Sequence, residues 1–184
     1  MLGSAISEGR FLGDAEATSA WIVASGSLGG YGTQVFTGSS FVLAPWGELA
    51  AQAPSLEESF LVCDIDPHSE GPLAHPLEQE VFDRPLSAWG ALSLGLSDLC
   101  ETTGNNDVAV LLDGSLDSVV VAALATDALG PTRVHALVLD DGVAPHLLSS
   151  RTLVRNLRVD ARELSAVSID AGEDAELMRD LAEA

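Results

Sequence analysis

Residues 108–129 constrain the fold most strongly, because an apolar run, a short polar turn and a helical pattern follow one another without interruption. Val108–Leu112 is a continuous apolar run, typical of a strand covered on both faces of a parallel sheet. From Leu116 onwards apolar residues recur three or four positions apart, which predicts an α-helix. The stretch therefore predicts the strand, loop and helix of a mononucleotide-binding half-unit.

The turn Asp113-Gly114-Ser115-Leu116-Asp117-Ser118 is the candidate functional site, because successive N–H groups at a helix N-terminus form a concave anion site. It resembles the PP-loop (SGGxDS) of the ATP pyrophosphatases, and with its neighbours it is similar to NAD synthetase. The resemblance implies that these six residues bind the pyrophosphate of ATP and that Asp117 helps to place Mg²⁺. It assigns no catalytic residue.

Two positions of this turn depart from the PP-loop pattern. Gly114, Asp117 and Ser118 match it, whereas Asp113 replaces the first Ser and Ser115 replaces the second Gly. A carboxylate at 113 faces phosphate with like charge, and Ser115 adds a Cβ where glycine admits close backbone approach. Both changes argue against tight ATP binding.

The chain after the turn predicts further alternating strands and helices. Gly130-Pro131 ends the helix, and residues 134–139 form a second buried strand, in which His135 is interpreted as a core histidine. The Asp140-Asp141-Gly142 segment suits either a site at the carboxyl edge of a parallel sheet or a simple charged turn. A helix over about 145–157, a strand over about 162–169 and an amphipathic helix through residues 177–181 complete the prediction.

The first third of the chain predicts a helix end followed by a β-rich region. We expect short strands at 21–25, 35–44, 48–53 and 59–65, a glycine-rich loop at 26–32, and a hairpin turn at Pro45-Trp46-Gly47. The region resembles the C-terminal part of a nitrilase-fold amidohydrolase domain, which precedes the synthetase domain in glutamine-dependent NAD synthetases. The nitrilase site uses a Glu, a Lys and a nucleophilic Cys upstream of the matched region. This chain has no Lys, so we expect no glutamine hydrolysis.

The region between these two parts has the composition of a linker. Residues 66–85 contain four prolines, together with His68 and His75, which we interpret as exposed linker histidines. An amphipathic helix with apolar residues from Leu86 to Cys100, predicted to end near Thr102-Thr103-Gly104, resembles the helix that leads into the NAD synthetase loop. We therefore predict a nitrilase-like part at 1–66, a linker at 67–85 and half of a PP-loop domain at 86–184. The fold class is α/β, with a partial Rossmann-like (adenine nucleotide alpha hydrolase-like) parallel sheet and flanking helices.

The charge of the chain excludes several classes of partner. The formal charge is −20, from 28 acidic residues and 8 Arg. Such a field repels nucleic acids, acidic membranes and polyphosphates. We interpret the excess of acidic residues as a feature that keeps the protein soluble or that reflects a saline cytoplasm. Cys63 and Cys100 lack disulfide or zinc spacing, and no signal peptide or membrane-length apolar run is present, which favours a cytoplasmic protein.

Three functions remain open at this point. The first is an NAD synthetase-like ligase, which amidates deamido-NAD with ATP and Mg²⁺. The second is a truncated, degenerate homologue that is inactive or very weak on its own and acts as an assembly module. The third is a regulator that senses a nucleotide without turning it over. Because half a doubly wound sheet leaves an edge uncovered, we also expect a homodimer or larger assembly.

Overall fold

The computed structural model describes residues 2–78 and 83–165 of the protein. The chain divides into two compact units, Met1–Gly95 and Leu96–Ala184. In chain order the α-helices and strands of the described residues are α1 (Leu2–Ser7), α2 (Leu12–Thr18), β1 (Ile22–Ala24), β2 (Leu28–Tyr31), β3 (Gln34–Thr37), β4 (Phe41–Leu43), β5 (Leu49–Gln52), α3 (Arg84–Thr103), β6 (Val108–Leu112), α4 (Leu116–Leu129), β7 (Val134–Asp140), α5 (Ala144–Leu157) and β8 (Asp160–Ser165), with a short 3₁₀ helix at Pro131–Arg133.

The first unit contains a three-stranded antiparallel sheet in the order β1-β4-β5 and a separate β2–β3 hairpin. Its core packs Phe41, Leu43 and Leu49 against Ile6 and Ala15 of the N-terminal helices. The predicted hairpin turn is confirmed: β4 and β5 pair on either side of residues 45–47, where Gly47 has a φ of +90°. Glycine is favoured there because a Cβ strains this conformation.

Three predictions for the first unit are wrong in detail. The strand at 35–44 is two strands, because Gly38 and Ser39 both have positive φ and break it. The predicted glycine-rich loop at 26–32 contains the whole of β2, which pairs with β3. Residues 59–65 belong to no sheet. The edge of β5 is instead contacted by Leu77, whose N–H donates to the carbonyl of Leu49 at 2.8 Å.

Part of the predicted linker is held against the β4–β5 turn. The Glu48 carboxylate oxygen Oε2 accepts hydrogen bonds from the main-chain N–H of Leu73 and from the indole N–H of Trp46, both at 2.6 Å. The Leu73 N–H, followed by the Trp46 indole, lowers the pKa of Glu48. Gly71 lies so close that a Cβ there would be 2.7 Å from the Trp46 ring. Residues 71–77 are therefore packed on the first unit.

The second unit is built on a parallel sheet in the order β6-β7-β8, with α4 and α5 as the two crossover connections. The predicted β6, α4, β7 and α5 are confirmed, with α4 ending before Gly130 and Pro131. A Ser cap precedes helix α4 and Gly-Pro follows its end, so the start and stop signals in the sequence both agree with the observed bounds of the helix. The core combines one face of β6 and β7 with side chains of α3, α4 and α5; its buried members are Cys100, Val110, Leu112, Ala122, Ala125, Leu129, Val134, Ala136, Val138 and Val159.

The prediction that β6 is covered on both faces is wrong. Val110 and Leu112 are buried, whereas Leu111, on the opposite face, is 42% exposed. The cause is that both crossover helices pack against the same face of the sheet. For the same reason His135 is not a core histidine: it is half-exposed, with Nε2 3.5 Å from Asp107 and Nδ1 3.8 Å from Asp160.

Strand β8 begins at Asp160, two residues before its predicted start. Residues 166–169 of that predicted strand, and the predicted helix through Leu177, Met178 and Leu181, lie outside the described residues.

Candidate functional site

The candidate site is the turn that joins the carboxyl end of β6 to the amino end of α4. Ser115 is the N-cap of α4, and its hydroxyl oxygen accepts a hydrogen bond from the main-chain N–H of Ser118. A Ser cap is favoured because it satisfies one of the N–H groups that the first helical turn leaves unpaired. The turn therefore has the strand-to-helix setting that the sequence predicts.

Side chains of the turn bond to its own main chain. Asp113 Oδ1 accepts a hydrogen bond from the N–H of Ser115 at 3.0 Å. The Ser115 hydroxyl oxygen accepts from the N–H of Ser118 at 3.2 Å, and the Ser118 hydroxyl donates to the Ser115 carbonyl at 3.0 Å. Two N–H groups that could donate to an anion are thus already bonded within the turn.

The Asp113 carboxylate places a negative charge in the turn. Its pKa is lowered to about 2, with the Ser115 side chain as the largest cause, followed by the Ser115 main-chain N–H and the Ser118 side chain. Hydrogen bonds donated to a carboxylate favour its charged form. Asp113 is therefore ionised at neutral pH, where it opposes an incoming phosphate.

Gly114 packs the turn against the first helical turn of α5. Its φ is +81°, and a Cβ there would lie 2.5 Å from Cβ of His146 and 3.0 Å from its Cα. Because the Cβ of His146 is bonded directly to its main chain, relief of the 2.5 Å separation requires the backbone to move, and the positive φ itself disfavours a side chain. Glycine is therefore the residue that this position accepts.

His146 is a neighbour of the loop that the sequence pattern does not indicate. Its Nδ1 lies 3.1 Å from Oδ2 of Asp141, while Oδ1 of Asp141 accepts a hydrogen bond from the Val143 N–H at 2.8 Å. The Val143 N–H, followed by the His146 ring, lowers the pKa of Asp141. The sequence signal that could have placed His146 near the loop is that the carboxyl ends of adjacent parallel strands meet at one edge of a sheet.

Leu116 and Asp117 lie in the first turn of α4, and both are exposed. An acidic side chain is favourable there because the amino end of a helix carries partial positive charge. Within residues 2–78 and 83–165, no group of three or more His, Cys, Asp or Glu side chains is arranged to bind a metal ion. A Mg²⁺ role for Asp117 stays a prediction.

As folded, the turn has two donors that are not free for a polyphosphate, and it carries a like charge. The Ser115 and Ser118 N–H groups have intramolecular acceptors, and the ionised Asp113 carboxylate adds like charge. An anion that uses these two donors would have to displace both acceptors, and a donor that already has a good partner contributes little net binding.

The other candidate residues do not join this site. Cys100 is buried in the core of the second unit, whereas Cys63 is half-buried in the first, and neither forms a disulfide. His68 and His75 are both exposed on the predicted linker. Among the described helices, none combines the length and apolarity required to span a membrane.

The strand–turn–helix at the centre of the site lies within the region that matches a known protein family. Residues 88–177 match the NAD synthase family model. The chain is 35% identical over 113 residues to a glutamine-dependent NAD(+) synthetase of Rhodobacter capsulatus, a match covering 61% of this chain and 20% of that protein. It is 35% identical over 127 residues to the corresponding enzyme of Xylella fastidiosa (strain Temecula1), covering 68% and 23%.

Solved structures give the same relationship. The glutamine-dependent NAD+ synthetase of Acinetobacter baumannii, determined in complex with ADP, superposes with a TM-score of 0.75 at 25% identity, covering 92% of this chain and 32% of that chain. The enzyme from Cytophaga hutchinsonii shares the fold, with a TM-score of 0.66 at 15% identity, covering 95% and 36%.

The chain spans about a fifth to a quarter of the length of the curated relatives named above. The chain is a homologue of the glutamine-dependent NAD synthetases over the part of their length that it matches.

Proposed function

We propose that this chain is an NAD synthetase-like protein that is inactive, or very weakly active, in the family reaction. That reaction is the ATP-dependent amidation of deamido-NAD to NAD. In this proposal residues 1–66 correspond to the C-terminal part of a nitrilase-like domain, 67–85 to a linker and 86–184 to the N-terminal half of a PP-loop domain. The alternative is a nucleotide-sensing or assembly module derived from a synthetase.

The observation that carries this proposal is the internal bonding of the turn at residues 113–118. Asp113 occupies the N–H of Ser115, and the Ser115 hydroxyl occupies the N–H of Ser118. A pyrophosphate held by these amides would have to displace both acceptors in a chain of formal charge −20. Binding of ATP with Mg²⁺ is therefore expected to be weak, and catalysis that depends on it weaker still.

Calorimetric titration with Mg-ATP tests this directly. We expect no binding tighter than about 0.1 mM, or about −5.5 kcal/mol, at physiological salt. A dissociation constant in the low micromolar range that is lost in Asp117→Ala would contradict the expected weak binding, and it would restore the ligase function if deamido-NAD were also converted to NAD. Tight binding of Mg-ATP or AMP without turnover would instead favour the nucleotide-sensing alternative.

An assembly role is favoured by the edge of the parallel sheet. Within the described residues β6 pairs only with β7, so its other edge is open, and Leu111 on its uncovered face is exposed. Open edges carry unpaired main-chain groups that are commonly covered by another chain. We therefore propose a homodimer or larger assembly, most simply about a two-fold axis.

Sedimentation velocity across a salt series measures this assembly. We expect association to strengthen as salt rises, because subunits of charge −20 repel one another and salt screens the repulsion. A monodisperse monomer at every salt concentration would show that the open edge is not used by a second copy.

A further inference from the structure

Residues 71–77, which we call the strap, are attached to the first unit at their start and in their middle. Gly71, at the start, lies against the Trp46 ring, where an added Cβ would be 2.7 Å from two ring atoms. Leu73, in the middle, donates its main-chain N–H to Oε2 of Glu48 at 2.6 Å. Both of these strap residues are half-buried. The strap therefore docks on the turn between β4 and β5.

The end of the strap is attached to β5 itself. The Leu77 N–H donates to the carbonyl of Leu49 at 2.8 Å, and the two residues form a single antiparallel bridge. Leu49 is 2% exposed, whereas Leu77 is 47% exposed. A bridge of this kind covers main-chain groups at a strand edge without adding a full strand. This third attachment involves neither the Glu48 side chain nor the Trp46 ring.

The Glu48 carboxylate connects the middle of the strap to the ring that contacts its start. Oε2 of Glu48 accepts hydrogen bonds from the Leu73 N–H and from the indole N–H of Trp46, both at 2.6 Å. The Trp46 ring also packs edge-on against Trp21, with ring centroids 5.8 Å apart. Hydrogen bonds to a carboxylate are stronger than those between neutral groups. Loss of the Glu48 carboxylate would therefore weaken two of the attachments at once.

We propose that residues 71–77 are a strap that docks and detaches as one unit and that Glu48 holds it in the docked state. Pro72 and Leu77 stay exposed in that state, and a segment that buries little apolar surface opens at low free energy. Detachment uncovers the Trp46 ring and the edge of β5 together. The segment is thus a two-state conformational device and not the free linker that its prolines indicate. It is independent of the turn at 113–118.

Amide hydrogen exchange of the full chain, followed by NMR at neutral pH, tests whether the strap opens as one unit. In Glu48→Ala we expect the Leu77 N–H to exchange at least about tenfold faster than in the parent, although its own acceptor is unchanged. Glu48→Gln keeps an acceptor oxygen without the charge, so the increase should be smaller. Glu58→Ala, which removes an exposed carboxylate of the same unit, should leave the Leu77 exchange rate unchanged.

Gly71→Ala detaches the strap from its other end and leaves Glu48 in place. The added Cβ meets the Trp46 ring, which Glu48 and Trp21 hold in position, so we expect the strap to move away. Exchange of the Leu77 N–H should again rise by about tenfold or more. The matched control is Gly32→Ala, because Gly32 also has a positive φ but no atom within 4 Å of its added Cβ. Circular dichroism verifies that every variant remains folded.

The proposal is overturned if Glu48→Ala speeds exchange only at Leu73, whose N–H loses its acceptor directly, and leaves Leu77 at the parent rate. The attachments would then open independently. It is also overturned if Gly71→Ala changes neither N–H, or if the amides of β4 speed up as much as Leu77, because the whole sheet would then be opening. If Leu77 of the parent exchanges as fast as an unstructured peptide, residues 71–77 are a free linker.

Discussion

Gly114→Ala is expected to destabilise the second unit by about 3 kcal/mol. The left-handed conformation of Gly114, with φ of +81°, costs an alanine roughly 1–2 kcal/mol. The new Cβ would also lie 2.5 Å from Cβ and 3.0 Å from Cα of His146, and relief of such overpacking costs roughly 1–3 kcal/mol. The turn and the start of α5 must therefore separate.

Gly142→Ala is the matched control, because Gly142 has a φ of +78° but no atom within 4 Å of its added Cβ. It should cost only the conformational term of about 1–2 kcal/mol. The three tryptophans, at positions 21, 46 and 89, all lie in the first unit, so a probe placed directly in the second unit is needed. Urea unfolding followed by circular dichroism, with amide hydrogen exchange of β6 and α4, compares the variants. Equal urea midpoints would mean that His146 does not constrain the turn.

The central strand, turn and helix could be predicted because every local signal agrees. The apolar run ends at Leu112, Ser115 is a favoured cap, and Gly130-Pro131 stops the helix. Residues 59–65 have equally strong strand propensity but lie in no sheet, because pairing depends on which neighbour is available and not on the segment alone. Leu77 contacts the edge of β5 instead.

The interior of the site was less predictable than its position. Sequence locates the turn at the end of β6, yet the contact between Gly114 and His146 depends on how α5 approaches that turn in three dimensions. The burial of one face of β6 likewise depends on α4 and α5 packing on the same side. Neither arrangement has a signature within a short window of sequence, whereas a cap or a stop signal does.

Asp113→Ser combined with Ser115→Gly is expected to strengthen binding of pyrophosphate or Mg-ATP by about tenfold or more. The first change removes the carboxylate that accepts the residue-115 N–H, and the second removes the hydroxyl that accepts the Ser118 N–H. Both donors then point to solvent at the amino end of α4, where anions bind favourably. Replacing a Ser cap by Gly costs only a few tenths of a kcal/mol, so the variant should remain folded.

Acidification cannot replace these substitutions, because the pKa of Asp113 is about 2 and its carboxylate is still charged at pH 5. The matched control is Asp107→Ser, which removes one exposed carboxylate just before the opposite end of β6 and changes the net charge by the same amount. Calorimetry on the full chain should show tighter binding for the double variant and little change for the control. If both variants bind alike, the gain comes from net charge alone. If the double variant is folded and binds no better than the parent, the turn is a strand-to-helix connection without an anion site.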